Sequence, residues 1–261
     1  MTEKHLDFWN ERALLGIKAG TNDLPLKKIE MQTLSEYIKD GQKVLDIGCG
    51  NGVTAFHLLD RLNIDITGVD FSENMVTEAN RQLAVNENYA RAARFGVGDV
   101  RCLTASPAIG DNKYDVIMTE RVLINLASWE EQRQALRDIL SLLRPGGVYL
   151  MCENSVDGLR NLNEVRTSVG LSKIDMPWHN RYISDSEIHS VDFAELVEYR
   201  DFTSIYYLLS RVVNAWTAGL QNLEPDYESD INKLTPQLLG IRNLETMGLG
   251  QTRLMVWRNK A

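Results

Sequence analysis

The stretch Val44-Leu-Asp-Ile-Gly-Cys-Gly-Asn-Gly52 runs from a short apolar strand through alternating glycines directly into a helical pattern. Glycines at 48, 50 and 52 leave the backbone bare, so its amides can approach a ligand closely, and the following helix N-terminus favours a carboxylate or phosphate. The dinucleotide fingerprint GxGxxG requires a glycine where this chain has Val53, which counts against a nicotinamide- or flavin-dependent oxidoreductase. Asp46, two residues before the first glycine, adds negative charge that a pyrophosphate cradle would not want; it suits a ligand with a cationic amine.

Outward from this loop, residues 43–154 repeat one pattern: an apolar run, a turn, a helical period. KVLDI, IDITGVD, ARFGVGD, YDVIM and VYLMCE read as strands buried on both faces. Between them lie helices, one with Ala55, Leu58, Leu59 and Leu62 on one stripe, another with Leu136, Ile139, Leu140 and Leu143 behind a capping box of Ser128 and Glu131. Such alternation implies an α/β, doubly wound, mostly parallel sheet with its ligands at the C-terminal strand ends. Arg144-Pro-Gly-Gly147 ends the second helix and turns the chain into the fifth strand.

At the second strand end, Asp70 is placed to accept both hydroxyls of a ribose. At the third, Gly98-Asp99-Val100 offers an acid for an exocyclic adenine amine, while Phe71 and Met75 can pack against the ring. Amine, carboxylate, ribose and adenine together describe S-adenosylmethionine. The chain resembles the class I S-adenosylmethionine-dependent methyltransferases over about residues 30–154. The family's glycine loop corresponds to Asp46, Gly48, Gly50, Asn51 and Gly52, its ribose acid to Asp70 and its adenine acid to Asp99. Its motif after strand four corresponds to Thr119-Glu-Arg-Val-Leu-Ile-Asn-Leu126. The resemblance implies a seven-stranded, Rossmann-like sheet whose last strand, RLMVWR at 253–258, is reversed, and a cap helix that brings Trp9 and Arg12 over the cofactor, with Arg12 toward the methionine carboxylate. The FWNERALLG start, TERVLINL and SIYYLLSRVVNA are similar to methyltransferases of bacterial surface-polysaccharide clusters.

On this reading residues 1–29 form the cap helix, 30–154 the cofactor-binding core, and 155–261 complete the sheet with substrate-cap insertions at 155–183 and 203–248. ELVEYRDF supplies a sixth strand, and a second capping box, Ser184 and Glu187, starts a short helix before it. Glu120, Arg121 and Asn125 fall where cofactor and acceptor meet. His179, in the cluster Pro177-Trp-His-Asn-Arg-Tyr182, is a candidate general base with Glu120 as its rival, and Asn180 and Arg181 are candidate acceptor contacts. In a helix over 204–218, Ile205, Leu208, Leu209, Val212, Val213 and Trp216 form the apolar stripe. Tyr207, Arg211 and Asn214 fall opposite, as a polar cavity wall suited to an anionic group or as a subunit contact.

The chain of 261 residues has 28 Lys+Arg against 36 Asp+Glu, a net charge of −8, so nucleic acid is a disfavoured partner. No apolar run reaches the roughly 18 residues of a membrane span, and the mixed charges of MTEKHLDFWNERALLG lack an export signal, so a cytoplasmic enzyme is expected. Cys49, Cys102 and Cys152 are scattered, which argues against disulfides and against a metal site. The expected activity is methylation of a small molecule by a monomer or homodimer: O-methylation of a sugar or of a phosphate- or carboxylate-bearing metabolite, with a small amine, RNA or protein as the alternatives.

Overall fold

The computed structural model describes residues 3–86, 88–238 and 240–260. Its strands are β1 (Lys43–Ile47), β2 (Asp65–Asp70), β3 (Ala93–Val97), β4 (Tyr114–Glu120), β5 (Leu143–Asn154), β6 (Ala194–Arg200) and β7 (Thr252–Asn259). They form one seven-stranded sheet in the order β3-β2-β1-β4-β5-β7-β6. The first five pair in parallel; β7 runs antiparallel between β5 and β6, as the resemblance implies.

Period-2 alternation explains why these segments read as continuous apolar runs: both faces of the sheet are covered. Leu45, Ile47, Ile117, Tyr149, Met151, Met255 and Trp257 face a core built with Leu136 and Ile139 of α5 (Trp129–Ser141). Their neighbours Val44, Val116, Met118, Leu150, Leu254 and Val256 face the other core, built with α2 (Leu24–Ser35) and α3 (Val53–Leu59). The helix α1 (Glu3–Arg12) precedes these, and α4 (Glu73–Ala84) follows β2 behind an N-cap, Ser72.

Several sequence expectations need correction. α3 ends at Leu59, so Leu62 lies beyond it. Ser128 accepts from Glu131 N as a cap should, but the Glu131 carboxylate takes the N–H of Ala127, so only half a capping box forms. The Ser184–Glu187 box is complete, at the start of α7 (Asp185–His189). The Arg144–Gly147 turn lies inside β5, where Gly146 has φ +79° and the register with β4 shifts. The helix at 204–218 is three pieces: α8 (Ser204–Tyr207), a π-helix (Leu208–Asn214) and α9 (Ala215–Leu220). The wider π turns displace the side-chain register. Val213 and Trp216 therefore end 39% and 47% exposed, while Asn214 is buried and donates to the Asp226 carbonyl.

The insertion at 155–183 opens with α6 (Val156–Ser168), capped by Ser155. Here Gly158 packs on the loop before β7; a Cβ would lie 2.0 Å from the Gly250 carbonyl oxygen. Gly158→Ala is expected to lower stability in urea unfolding by about 2–4 kcal/mol through this overlap. Gly170→Ala, at an open position where only the positive φ opposes it, will cost about 1 kcal/mol.

Candidate active site

A cavity of about 440 Å³ opens at the C-terminal ends of β1, β2, β4 and β5, beneath α1 and the segment at 174–180. The glycine loop forms its floor. Gly48, Gly50 and Gly52 all have positive φ (+72°, +54°, +85°), and a Cβ on Gly48 would stand 2.3 Å from Cγ2 of Val122, in the loop after β4. The Gly48 and Cys49 amides donate to the Val69 carbonyl, and Gly50 N donates to Asp70 at 2.9 Å. The other Asp70 oxygen accepts from Ser72 N at 2.9 Å. Burial raises the Asp70 carboxyl to about 6, against the pull of these amides.

Asp46 differs in one respect: its Oδ2 is buried without a hydrogen-bond partner. Burial, then the nearby Glu120 carboxylate, pushes its carboxyl up to about 7. A desolvated carboxylate facing a cavity gains most from a cation placed there.

Behind the cavity lies a buried charge network. Lys27 of α2 pairs with Glu120 at the end of β4 and donates to Thr54 Oγ1 at 2.7 Å, and Thr54 donates to Glu120 at 3.0 Å. Arg121 Nη2 stands 3.4 Å from Glu120 and 3.2 Å from Glu30, which is wholly buried. Burial alone would raise both acids. Lys27 and Arg121 nevertheless draw Glu120 down to about 2, while Glu30 stays at about 8. Arg121 itself sits at φ +59°, a strained backbone for a side-chain-bearing residue. The loop after it is held by Glu153 of β5, whose carboxylate accepts from Val122 N, Leu123 N and Ile124 N at 3.0, 3.0 and 3.3 Å.

The wall above is aromatic and amide-rich. His179 packs against Phe8 and Trp9 of α1, with ring centroids at 4.7 and 5.9 Å. Its Nδ1 has no hydrogen-bond partner, and burial, then His5 and Arg12, lowers its pKa below 6.5. Tyr182 accepts from Gln251 at 2.6 Å, and Tyr207 shares a hydrogen bond with Thr252 at 3.2 Å.

Of the residues singled out in the sequence, the cavity brings together Trp9, Asp46, Gly48, Gly50, Asn51, Asp70, Phe71 and Met75 on the side of β1 and β2. On the side of β4 and the cap it brings together Glu120, Arg121, Asn125, His179, Asn180, Tyr207 and Arg211. Six others lie outside its lining, Gly52 among them. Arg12 spends its guanidinium on the carbonyls of Ala19 and Lys18, at 2.6 Å each. Asp99 is held by Arg101, and Val100 is packed into the core. Arg181 pairs with Glu187, and Asn214 is turned away by the π-helix. Lys27, Thr54, Glu30 and Glu153 were missed. Only Glu153 left a trace in the sequence, as a charge ending a wholly apolar strand.

Residues 38–189 match the family described as methyltransferase domain, and the chain belongs to that family. Its members of this fold are the class I methyltransferases, whose cofactor is S-adenosylmethionine. Among curated proteins, the chain is 25% identical to phosphoethanolamine N-methyltransferase 1 of Triticum aestivum over 70% of its length and 39% of the relative's. It is 28% identical to the Arabidopsis thaliana protein of that name over 47% of this chain and 24% of the relative. The chain thus spans well under half the length of these relatives. Among solved structures, the CcbJ methyltransferase of Streptomyces caelestis aligns with a TM-score of 0.60 at 18% identity, over 93% of this chain and 92% of that one. Magnesium protoporphyrin IX methyltransferase of Synechocystis, with bound SAH, aligns at 0.57 and 15% identity, over 99% and 95%.

The residues present fit this cofactor. Asp46 has a free oxygen for a cationic amine, Asp70 keeps unused lone pairs for hydroxyls, and Gly50 presents bare backbone. The folded-state value of Asp46 lies above its ordinary 3.8, so the folded chain holds the extra proton between about pH 4 and 7. The contribution of this group to stability therefore declines as pH rises through that window. Asp46→Asn should gain on the wild type from pH 4 to 8 in urea midpoints of the ligand-free protein; parallel curves would contradict this assignment.

Proposed function

We propose that the protein transfers the methyl group of S-adenosylmethionine to a hydroxyl of a small molecule, with His179 as general base. The observation that carries this reading is the pairing, in one cavity, of an unpartnered carboxylate, Asp46, with an unpartnered neutral imidazole, His179. The bound cofactor supplies a methyl on a positively charged sulfur that leaves as a neutral thioether, so catalysis rests on alignment and on excluding water. Trp9 and His179, packed together with Phe8, line the cavity on the side of α1. With its pKa below neutral, His179 is unprotonated at pH 7 and takes the hydroxyl proton at Nδ1 as the oxygen becomes an ether. Glu120 is a poor base: Lys27 and Arg121 hold it anionic far below neutral pH. Its part, with Arg121, is to shape the wall.

An amine acceptor is the second reading, favoured by the phosphoethanolamine N-methyltransferases among the relatives; a neutral amine needs no such base. Residues 1–29 serve as a cap over the cofactor, 155–183 and 203–248 as the acceptor cap, and the compartment is the cytoplasm, in keeping with three free cysteines among the described residues. No helix among the described residues is long and apolar enough to cross a membrane.

His179→Gln should lower kcat by about 100-fold or more and abolish the acidic limb of the pH profile, which the wild type shows with a midpoint below 6.5. Binding of S-adenosylhomocysteine, read by calorimetry, should stay within about twofold. An unchanged kcat would assign the reaction to an amine or to another base.

A further inference from the structure

We infer that the acceptor presents to this cavity an uncharged portion bearing at least two hydroxyl groups, a sugar ring or comparable polyol, and not a phosphate or carboxylate. The inference rests on the methyl-transfer reading above and concerns the chemistry of the acceptor half of the same cavity.

Consider first the cations. Lys27, Arg121 and Arg211 line the cavity, and each already stands against a carboxylate. Lys27 is paired with Glu120, and Arg121 with Glu120 and Glu30. Arg211 is paired with Asp23 and donates to Ser210, while its guanidinium is enclosed by Tyr227, Tyr207 and Tyr206, with ring centroids at 4.6, 5.5 and 5.7 Å. A phosphate approaching any of these meets Asp23 or Glu120 as well, and like charges in a desolvated site repel strongly. Arg181, which the sequence places among the candidate acceptor contacts, is held by Glu187 outside the lining.

Next, the unsatisfied polar atoms. Asn125 Oδ1, Asn180 Oδ1 and His179 Nδ1 are buried without hydrogen-bond partners, and all three residues line the cavity. Asn125 is 8% exposed, and its amide orientation is fixed because Nδ2 donates to the carbonyls of Arg121 and Val122 at 2.9 and 3.3 Å. The two loops that carry these residues are clamped side by side. Arg181 N donates to the Ile124 carbonyl at 2.6 Å, and Gln132 Nε2 bridges the Leu123 and Arg181 carbonyls at 3.0 and 2.9 Å.

The two amide oxygens can only accept, and Nδ1 of the neutral imidazole accepts in the tautomer that carries its proton on Nε2, the one a general base at Nδ1 requires. The complementary ligand must donate. A phosphate dianion or carboxylate has only acceptors and would leave both amide oxygens unsatisfied. A polyol supplies one hydroxyl to His179 as nucleophile and others to Asn125 and Asn180.

The test uses the full chain, S-adenosylmethionine labelled in its methyl group and a small-molecule extract of the source organism. Labelled products are treated with phosphatase and passed over ion exchangers. The expected label is unretained by either resin and stable to mild alkali, as a neutral ether is. Label that stays anionic, is lost to alkali as an ester or elutes as a cation overturns the inference while leaving methyl transfer intact. A protein that binds S-adenosylhomocysteine but labels no small molecule overturns the methyl-transfer reading itself. Asn125→Ala and Asn180→Ala should each raise the half-saturating amount of extract about tenfold, with S-adenosylhomocysteine affinity unchanged. If both leave it unaltered, the orphan acceptors do not bind the acceptor; a variant that loses S-adenosylhomocysteine binding is set aside, and the product's charge decides.

Discussion

The contact between Lys27 and Glu120 is the interaction on which the rest of the site depends. It joins α2 to the end of a central strand, and neither partner belongs in a buried position alone: removing one charge of such a pair costs about 3–5 kcal/mol. Thr54, Arg121 and Glu30 complete the network, so five side chains from α2, α3 and the end of β4 are fixed together behind one cavity. Asp23 extends it. Asp23 caps α2 through Leu26 N, accepts from Tyr206 and pairs with Arg211, and so ties the start of α2 to the π-helical segment at 208–214. The consequence for chemistry is that the cations of the cavity are spent on structure.

A second constraint is steric. The loop of Gly48 and the loop of Val122 come together where their strands end, closer than any Cβ on residue 48 would permit. Arg121 absorbs the turn at φ +59°, and the Glu153 carboxylate holds the three amides that follow. Preorganised backbone and positioned acceptors are what a reaction limited by alignment requires. Asp46 is left unpartnered in the same space, a cost that only a cationic ligand offsets.

Much of this was legible in the residues. Local pattern marks the strands because both faces of each are buried, and the glycine loop with Asp46 and Asp70 marks the cofactor end through spacing along two adjacent strands. What local pattern does not carry is which partner a side chain takes. Arg12, Asp99 and Arg181 have the right chemistry, but partners close by in the chain, the Ala19 carbonyl, Arg101 and Glu187, take them out of the cavity lining. Lys27 looks like any solvated lysine until β4 is placed beside α2. The π-helix cannot be read from a 100° wheel: Ile205 and Val212 of the apolar stripe are buried, but Val213 and Trp216 end exposed.

The most direct measurement is calorimetric titration of S-adenosylmethionine into the wild-type protein and into Asp46→Asn. One saturable site per chain is expected in the wild type and affinity at least about tenfold weaker in the variant, as the loss of a buried charged contact requires. No binding to the wild type, or equal affinity for both proteins, would contradict this expectation.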